Sequence, residues 1–209
     1  MKITAIKPVK GKKKHCALYI DGKFFMNFNL VTLEQAGIYQ GKKITEKQLK
    51  DLIGKNSLYK AKEYAGLILS YRPRSCQELK NKMLKKGFAK DLSKKVLESM
   101  KKKGVLNDEK FTRWWIKQRR KGRPKGDFGI KQELKNKGIN SRIIDRALND
   151  LAGADGMDKI ELAWQAARPM LKKYRRLPEN TARRRLISLL KRRGFSWEII
   201  NKVVEKFFK

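Results

Sequence analysis

Three glycines, Gly87, Gly138 and Gly194, sit inside one recurring pattern of apolar and polar positions. Eight residues before each stand Leu79, Ile130 and Leu186; four before stand Met83, Leu134 and Leu190. One residue after come Phe88, Ile139 and Phe195, and five after come Leu92, Ile143 and Ile199. Nine and ten after come the pairs Val96–Leu97, Ala147–Leu148 and Val203–Val204. Lysine, arginine and other polar residues fill most of the intervening positions. Apolar residues four apart on either side of a glycine describe two amphipathic helices folded back on each other, with the glycine at the left-handed position that ends the first. The pattern is an internal repeat that organises the chain from about residue 60 to its end.

A third helix precedes each pair. In the first repeat the pattern predicts helices over residues 58–70, from 75 to Gly87, and over 91–102. The first has Tyr64, Leu67 and Ile68 on one face and stops at Tyr71-Arg72-Pro73-Arg74, because a proline disfavours helix at the residue before it. Ser75 and Glu78 form a capping box for the second. The second repeat predicts helices over 108–120, from Asp127 as cap to 137, and from Asn140 or Ser141 to about 150, with 151–157 as a linker. The third predicts 158–173, kinked or ended early by Pro169, then 181–193 and 197–208, the last capped by Ser196. A single unit of this size has a marginal core, so adjacent units are expected to pack into an elongated, curved array.

The N-terminal residues follow a different period. Ala17–Ile20 and Phe24–Met26 flank Asp21-Gly22, a type I′ hairpin signal, and residues 1–6 alternate weakly. These features predict a small three-stranded sheet. Tyr19, Phe24, Phe25 and Phe28 are read as its core, with a base-stacking platform as the alternative. Short helices are expected over 33–37 and 46–53, and Gly54-Lys-Asn-Ser57 reads as a linker. The expected fold is mainly α: three tandem three-helix repeats behind a small β region. The domains are 1–57, 58–106, 107–153 and 154–209.

Charge changes the picture from fold to partner. The 209 residues hold 54 Lys and Arg against 20 Asp and Glu, a net charge of +34. Residues 1–60 carry 13 basic and 4 acidic side chains, residues 61–150 carry 26 and 10, and residues 151–209 carry 15 and 6. The excess therefore lies on the repeats and not on a tail. An anionic partner is expected: nucleic acid, an acidic protein surface or, less readily, a membrane. No run reaches the length of apolar sequence that a membrane helix needs. Cys16 and Cys76 lack metal-ligand spacing, and without a secretory signal the expected compartment is the reducing cytoplasm.

Catalytic signatures are missing. His15 is the single histidine, which leaves zinc and Cys–His chemistry without support. Gly37–Lys43 resembles a P-loop, but its glycine spacing is short by one and Lys43 stands where Ser or Thr would hold magnesium. No cofactor and no enzymatic activity are expected. The candidate binding residues are instead basic clusters at repeat positions. They are Arg72 and Arg74; Arg119, Arg120, Lys121, Arg123 and Lys125; Arg175 and Arg176; Arg183, Arg184 and Arg185; and Arg192 and Arg193. Cations just before a helix oppose its dipole, an arrangement that makes sense if an anion docks there. The adjacent Trp114 and Trp115, about 100° apart around their helix, are read as core, with partial exposure of one as the alternative.

Several stretches carry a resemblance. They are Tyr71-Arg72-Pro73-Arg74-Ser75 with Glu78-Leu79, Lys86-Gly87-Phe88, Gly104-Val-Leu-Asn-Asp-Glu-Lys-Phe111, and Gln132-Glu-Leu-Lys-Asn-Lys-Gly-Ile139. The chain resembles the RecX family, regulators of the RecA recombinase. The match is dense over 58–150 and looser in the third repeat. The resemblance implies a monomer without catalytic activity that binds in the groove of the RecA–single-stranded DNA filament. It further implies lowered strand exchange, ATP hydrolysis and coprotease activity, within DNA repair and SOS regulation. A RecA-independent, sequence-nonspecific nucleic-acid binder is the alternative.

Overall fold

The computed structural model describes residues 1–154 and 158–208. The chain divides into two compact units, Met1–Arg72 with Lys80–Met100, and Pro73–Leu79 with Lys101–Lys209.

The first unit opens with β1 (Ile3–Val9), β2 (Lys12–Ile20) and β3 (Lys23–Asn29), antiparallel in the order β1-β2-β3. Asp21 adopts φ 48°, the turn conformation that Asp-Gly predicts. Alternation sends Ile3, Leu18, Ile20 and Phe28 inward, where they meet Leu33, Ile44 and Leu52. Phe24 and Phe25 depart from the expected core, being 55% and 39% exposed. Phe24 pairs with Tyr19 on the outward face, and a bulge displaces Phe25, because Leu18 pairs with Met26 and leaves Phe25 as the extra residue.

Helix α1 (Leu30–Gln35) starts on Asn29, whose side chain accepts from the Val31 amide. Helix α2 (Glu46–Tyr71) is capped by a Thr45–Gln48 box and is continuous over 26 residues. This corrects two expectations. Residues 54–57 are helix rather than linker, and no break separates 46–53 from 58–70. The reason is tertiary. Asn56 is fully buried; its Oδ1 accepts from the Asn29 amide at 3.0 Å, and its Nδ2 donates to the Asn27 carbonyl at 3.2 Å. That buried pairing holds the helix through Gly54, against a propensity cost of about 1 kcal/mol. The buried stripe of α2 contains Leu52, Ala61 and Ala65, whereas Leu67 is exposed.

Helices α3 (Cys76–Lys85) and α4 (Lys90–Lys102) follow, with α3 starting on the expected Ser75–Glu78 box. The second unit contains α5 (Asp108–Arg120), α6 (Asp127–Asn136) and α7 (Ser141–Ala154) around Phe111, Ile116, Ile130, Leu134, Ile144 and Ala147. It continues with α8 (Lys159–Tyr174), α9 (Glu179–Arg192) and α10 (Trp197–Phe208) around Leu162, Ala166, Leu186, Leu190, Ile200 and Val203. All the repeat positions named above are buried except Phe88, Leu92, Ile143 and Ile199, which are half-buried. Among the described residues the chain is thus ten helices behind one three-stranded sheet.

Four boundaries differ from the sequence reading. Asp127 is the first residue of α6 rather than its cap; Gly126 occupies the cap position. Asn140 caps α7, accepting from the Arg142 amide at 2.8 Å. Helix α7 runs to Ala154, so half of the expected 151–157 linker is helix and 155–157 lie outside the described residues. Helix α8 does not end at Pro169 but continues to Tyr174: Pro169 is exposed, and Ala163, Ala166, Ala167 and Leu171 are buried on both sides of it. Helix α9 starts at Glu179, two residues before the expected start.

Candidate functional site

The glycines that fold each helix pair together also hold successive repeats. Gly138 and Gly194 have φ of +76° and +80°. The amides of Gly126 and Phe128, at the start of α6, donate to the carbonyls of Arg193 at 3.0 Å and Gly194 at 3.1 Å. One repeat earlier, the Ser75 hydroxyl donates to the Lys137 carbonyl at 2.7 Å, beside Gly138. A helix start therefore docks on the glycine turn of the following repeat in both cases. The helix start belongs to a residue twelve positions before its own glycine, Ser75 or Gly126. These contacts change the electrostatic reading of the sequence. The first amides of α6 already face carbonyls, and the Cys76 amide of α3 donates to the Asp108 carboxylate at 2.8 Å. These two helix starts are filled by the protein itself and are not vacant anion sites.

Around the α6 start the candidate cations separate into distinct groups. Arg120 is buried, with 5% exposure; it reaches Asp127 at 3.4 Å and the Leu151 carbonyl at 3.5 Å, and so belongs to the core of this three-helix domain. Asp127 also binds Lys159 at 2.8 Å. Arg119 and Lys125 converge on one carboxylate, Glu133: Arg119 Nε lies 2.7 Å from Oε2, and Lys125 Nζ contacts Oε1. The Trp115 indole donates to the same Oε2 at 2.9 Å. Arg119 covers the Trp115 ring at 4.3 Å, and Lys137 lies 4.2 Å from it while pairing with Glu78 at 2.7 Å. Burial alone would raise the Glu133 pKa, and it is the largest single influence. The hydrogen bonds from Lys125, Arg119 and Trp115 outweigh it together, holding the carboxyl below its ordinary range.

The third group is cationic throughout. Arg193 is half-buried, with Nη1 donating to the Pro124 carbonyl at 3.2 Å. Burial, then the neighbouring charges of Arg123 and Arg192, lower its pKa. Arg123 and Arg192 are exposed beside it, and Lys121 is also exposed. The α6–α9 junction thus brings together arginines from two repeats. Such a forked set suits phosphate or carboxylate.

In the third repeat, Arg175 lies over Phe207 at 6.0 Å. Arg183 lies over Phe208 at 5.1 Å and 3.4 Å from Glu179. Arg176, Arg184 and Arg185 are exposed. Arg72 and Arg74 are half-buried, and each engages protein partners. Sequence reasoning missed Glu133 and the exposed Phe128, which is 73% exposed at the α6 start. It also read Trp114 and Trp115 as core, whereas both are half-buried at its edge. The Glu133 role had no local signal, because its partners arrive from a different helix and from the loop before α6.

Models of the RecX first, second and third three-helix domains match residues 61–100, 107–148 and 158–204. A regulatory protein RecX of Mycolicibacterium smegmatis is 32% identical, with 69% of this chain and 77% of the relative covered. The chain belongs to the RecX family. Regulatory protein RecX of Chlorobium limicola is 30% identical over 74% of this chain and 93% of its own length. That of Bacillus licheniformis is 28% identical over 98% of this chain and 76% of its own. The crystal structure of a regulatory protein RecX superposes with TM-score 0.73 at 24% identity, covering 98% of both chains. RecX from Lactobacillus salivarius superposes at 0.62 and 21% identity, over 73% of this chain and 97% of that one. The RecX fold therefore extends over the N-terminal sheet as well as the helices. Among the described residues of this RecX-family chain, no helix is long and apolar enough to cross a membrane.

Proposed function

We propose that this RecX-family chain is a non-catalytic regulator that binds the RecA–single-stranded DNA filament in its groove. Binding lowers strand exchange, ATP hydrolysis and coprotease activity, and the chain acts as a cytoplasmic monomer in DNA repair and SOS control. Family membership across all three three-helix domains carries this reading. The cationic junction of Arg123, Arg192 and Arg193 supports it, since a filament on single-stranded DNA offers phosphate and carboxylate together. Arg176, Arg184 and Arg185 give a second basic surface in the third repeat.

The test is single-stranded DNA-dependent ATP hydrolysis by the cognate RecA, at a salt concentration where this chain alone no longer binds DNA. Inhibition at stoichiometric protein is expected. Unchanged hydrolysis and strand exchange would remove the regulator reading. The net charge of +34 favours a second reading, a RecA-independent binder held by phosphate contacts. That reading gains if DNA affinity falls steeply with salt while RecA is untouched.

A further inference from the structure

In β3, Phe24 faces outward opposite Tyr19, and the bulge leaves its neighbour Phe25, stacked on Phe28 at 6.5 Å, partly exposed as well. Phe24 is 55% exposed and Phe25 39%. On the sheet face away from the core, Phe24 meets Tyr19 edge to face, with ring centroids 5.8 Å apart. Lys7 from β1 sits over the Tyr19 ring at 5.1 Å. On the same face Ala5 pairs with Tyr19, and next along it Ala17 lies between Lys7 and Asn27. The rings therefore stand on a shallow surface that a flat ligand can reach. An exposed aromatic patch of this kind forfeits burial, about 25 cal/mol per Å² of apolar area, and such patches mark binding surfaces.

Charge selects the occupant. Residues 1–29 contain seven lysines and one acid, Asp21. The Asp21 carboxylate is already used inside the turn, accepting the Lys2 amide at 2.8 Å. Lys2, whose amide meets Asp21, and Lys23, at the start of β3 next to Phe24, are exposed at the β2–β3 turn beside these rings. Lysines bordering paired rings match the two parts of an unpaired nucleotide, a phosphate and a flat base. An acidic peptide would use the lysines and leave the rings without a partner. Duplex DNA would keep its bases stacked away from them.

We propose that the outer face of the N-terminal sheet is a single-stranded nucleic-acid platform, with a base stacking on Phe24 and Tyr19 and phosphates meeting Lys7, Lys2 and Lys23. The site is separate from the arginines of the helical repeats and requires no recombinase. It therefore stands or falls independently of the filament reading.

The experiment uses the full chain without RecA and three probes: a fluorescein-labelled oligo-dT, an abasic oligonucleotide of the same length, and poly-glutamate. Binding to each is followed by anisotropy over a salt series. The double variant Tyr19→Ala with Phe24→Ala is expected to weaken dT binding about tenfold or more at every salt, with the salt slope unchanged. Its affinity for the abasic strand is expected to equal that of the parent. Lys7→Gln is expected to reduce the slope of log K against log salt by about 0.7. Phe24→Leu keeps the apolar bulk while removing the ring, and a several-fold loss with an unchanged circular dichroism spectrum is expected if the double variant fails to fold. Photo-cross-links from 5-iodouracil are expected on β2 and β3. Parental dT affinity in the ring variants, an equal loss for poly-glutamate, or cross-links confined to residues 58–208 would each overturn the platform.

Discussion

Glu133 shows how much one side chain can hold. It collects Arg119, Lys125 and the Trp115 indole on its two oxygens. Because its folded pKa is depressed, it stabilises the fold above the unfolded value of about 4.3, and that contribution is lost as pH falls through the lower folded value. Glu133→Gln is expected to lower stability at pH 7 by about 1–2 kcal/mol, discounted for partial exposure. It should also flatten the acid limb of stability below about pH 4.3, read by urea denaturation at several pH values. Trp115 emission should shift in the same variant, since the indole loses its acceptor. Cys76 gives a second test. Burial first, and then the Asp108 carboxylate, push its thiol up to about 11. At pH 8 it should carry on the order of a hundredfold less thiolate than an ordinary cysteine and react with iodoacetamide correspondingly slowly. At this scale the sequence was least informative. The excess of basic residues was plain, but which arginines are engaged depends on partners distant in the chain. Arg119, Arg120 and Arg123 are near neighbours in sequence, yet they face a carboxylate, a core and solvent respectively.

The helices themselves were legible. Apolar residues four apart around a glycine, a capping box at Ser75 and Glu78, and prolines after helix ends are local signals, and the second-repeat helix over 108–120 was placed to the residue. Errors arose where tertiary contacts override local chemistry, as at Asn56 and Pro169. The close approach of repeats was not legible, because a glycine required for φ and one required for space read alike. Three alanine substitutions separate these roles. At Gly87, φ is +94° and an added Cβ meets nothing within 4 Å, so Gly87→Ala should cost only the left-handed strain, about 1–2 kcal/mol. Gly126 has φ −72°, but its Cβ would lie 2.2 Å from the Gly194 carbonyl oxygen; Gly126→Ala should cost a clash of about 1–3 kcal/mol. Gly194 carries both, with φ +80° and a Cβ 2.0 Å from the Gly129 amide nitrogen, and should be the most destabilising of the three in denaturant melts. Helix α9 departs from the scheme. Its residue twelve before the glycine, Ala182, lies inside the helix and is buried in the third core, so the docking turn seen at Ser75 and Gly126 is absent there.

At the scale of the whole chain, the question is whether the charge acts as one diffuse field or through discrete contacts. The basic excess appears in all three regions of the sequence, so diffuse attraction to any polyanion is assured. Discrete action requires that particular residues matter more than their charge. Arg123 and Arg192 provide the comparison, because both are exposed and both crowd Arg193, while neither is buried in the fold. Reversing both, Arg123→Glu with Arg192→Glu, changes the net charge by only a small part of +34. A diffuse field predicts a matching small loss. If the junction is a contact with two phosphates, the slope of log K against log salt for single-stranded DNA should fall by about 1.4. If it is a contact with the filament, the concentration needed to halve RecA ATP hydrolysis should rise about tenfold or more at a salt concentration where free DNA binding has already been lost. A control pair of equal charge change in unit one, Lys47→Glu with Lys50→Glu on the exposed side of α2, should leave that inhibition unchanged. Equal effects from the two pairs would show that the chain works by total charge alone, and the arginine junction would lose its role in the proposed function.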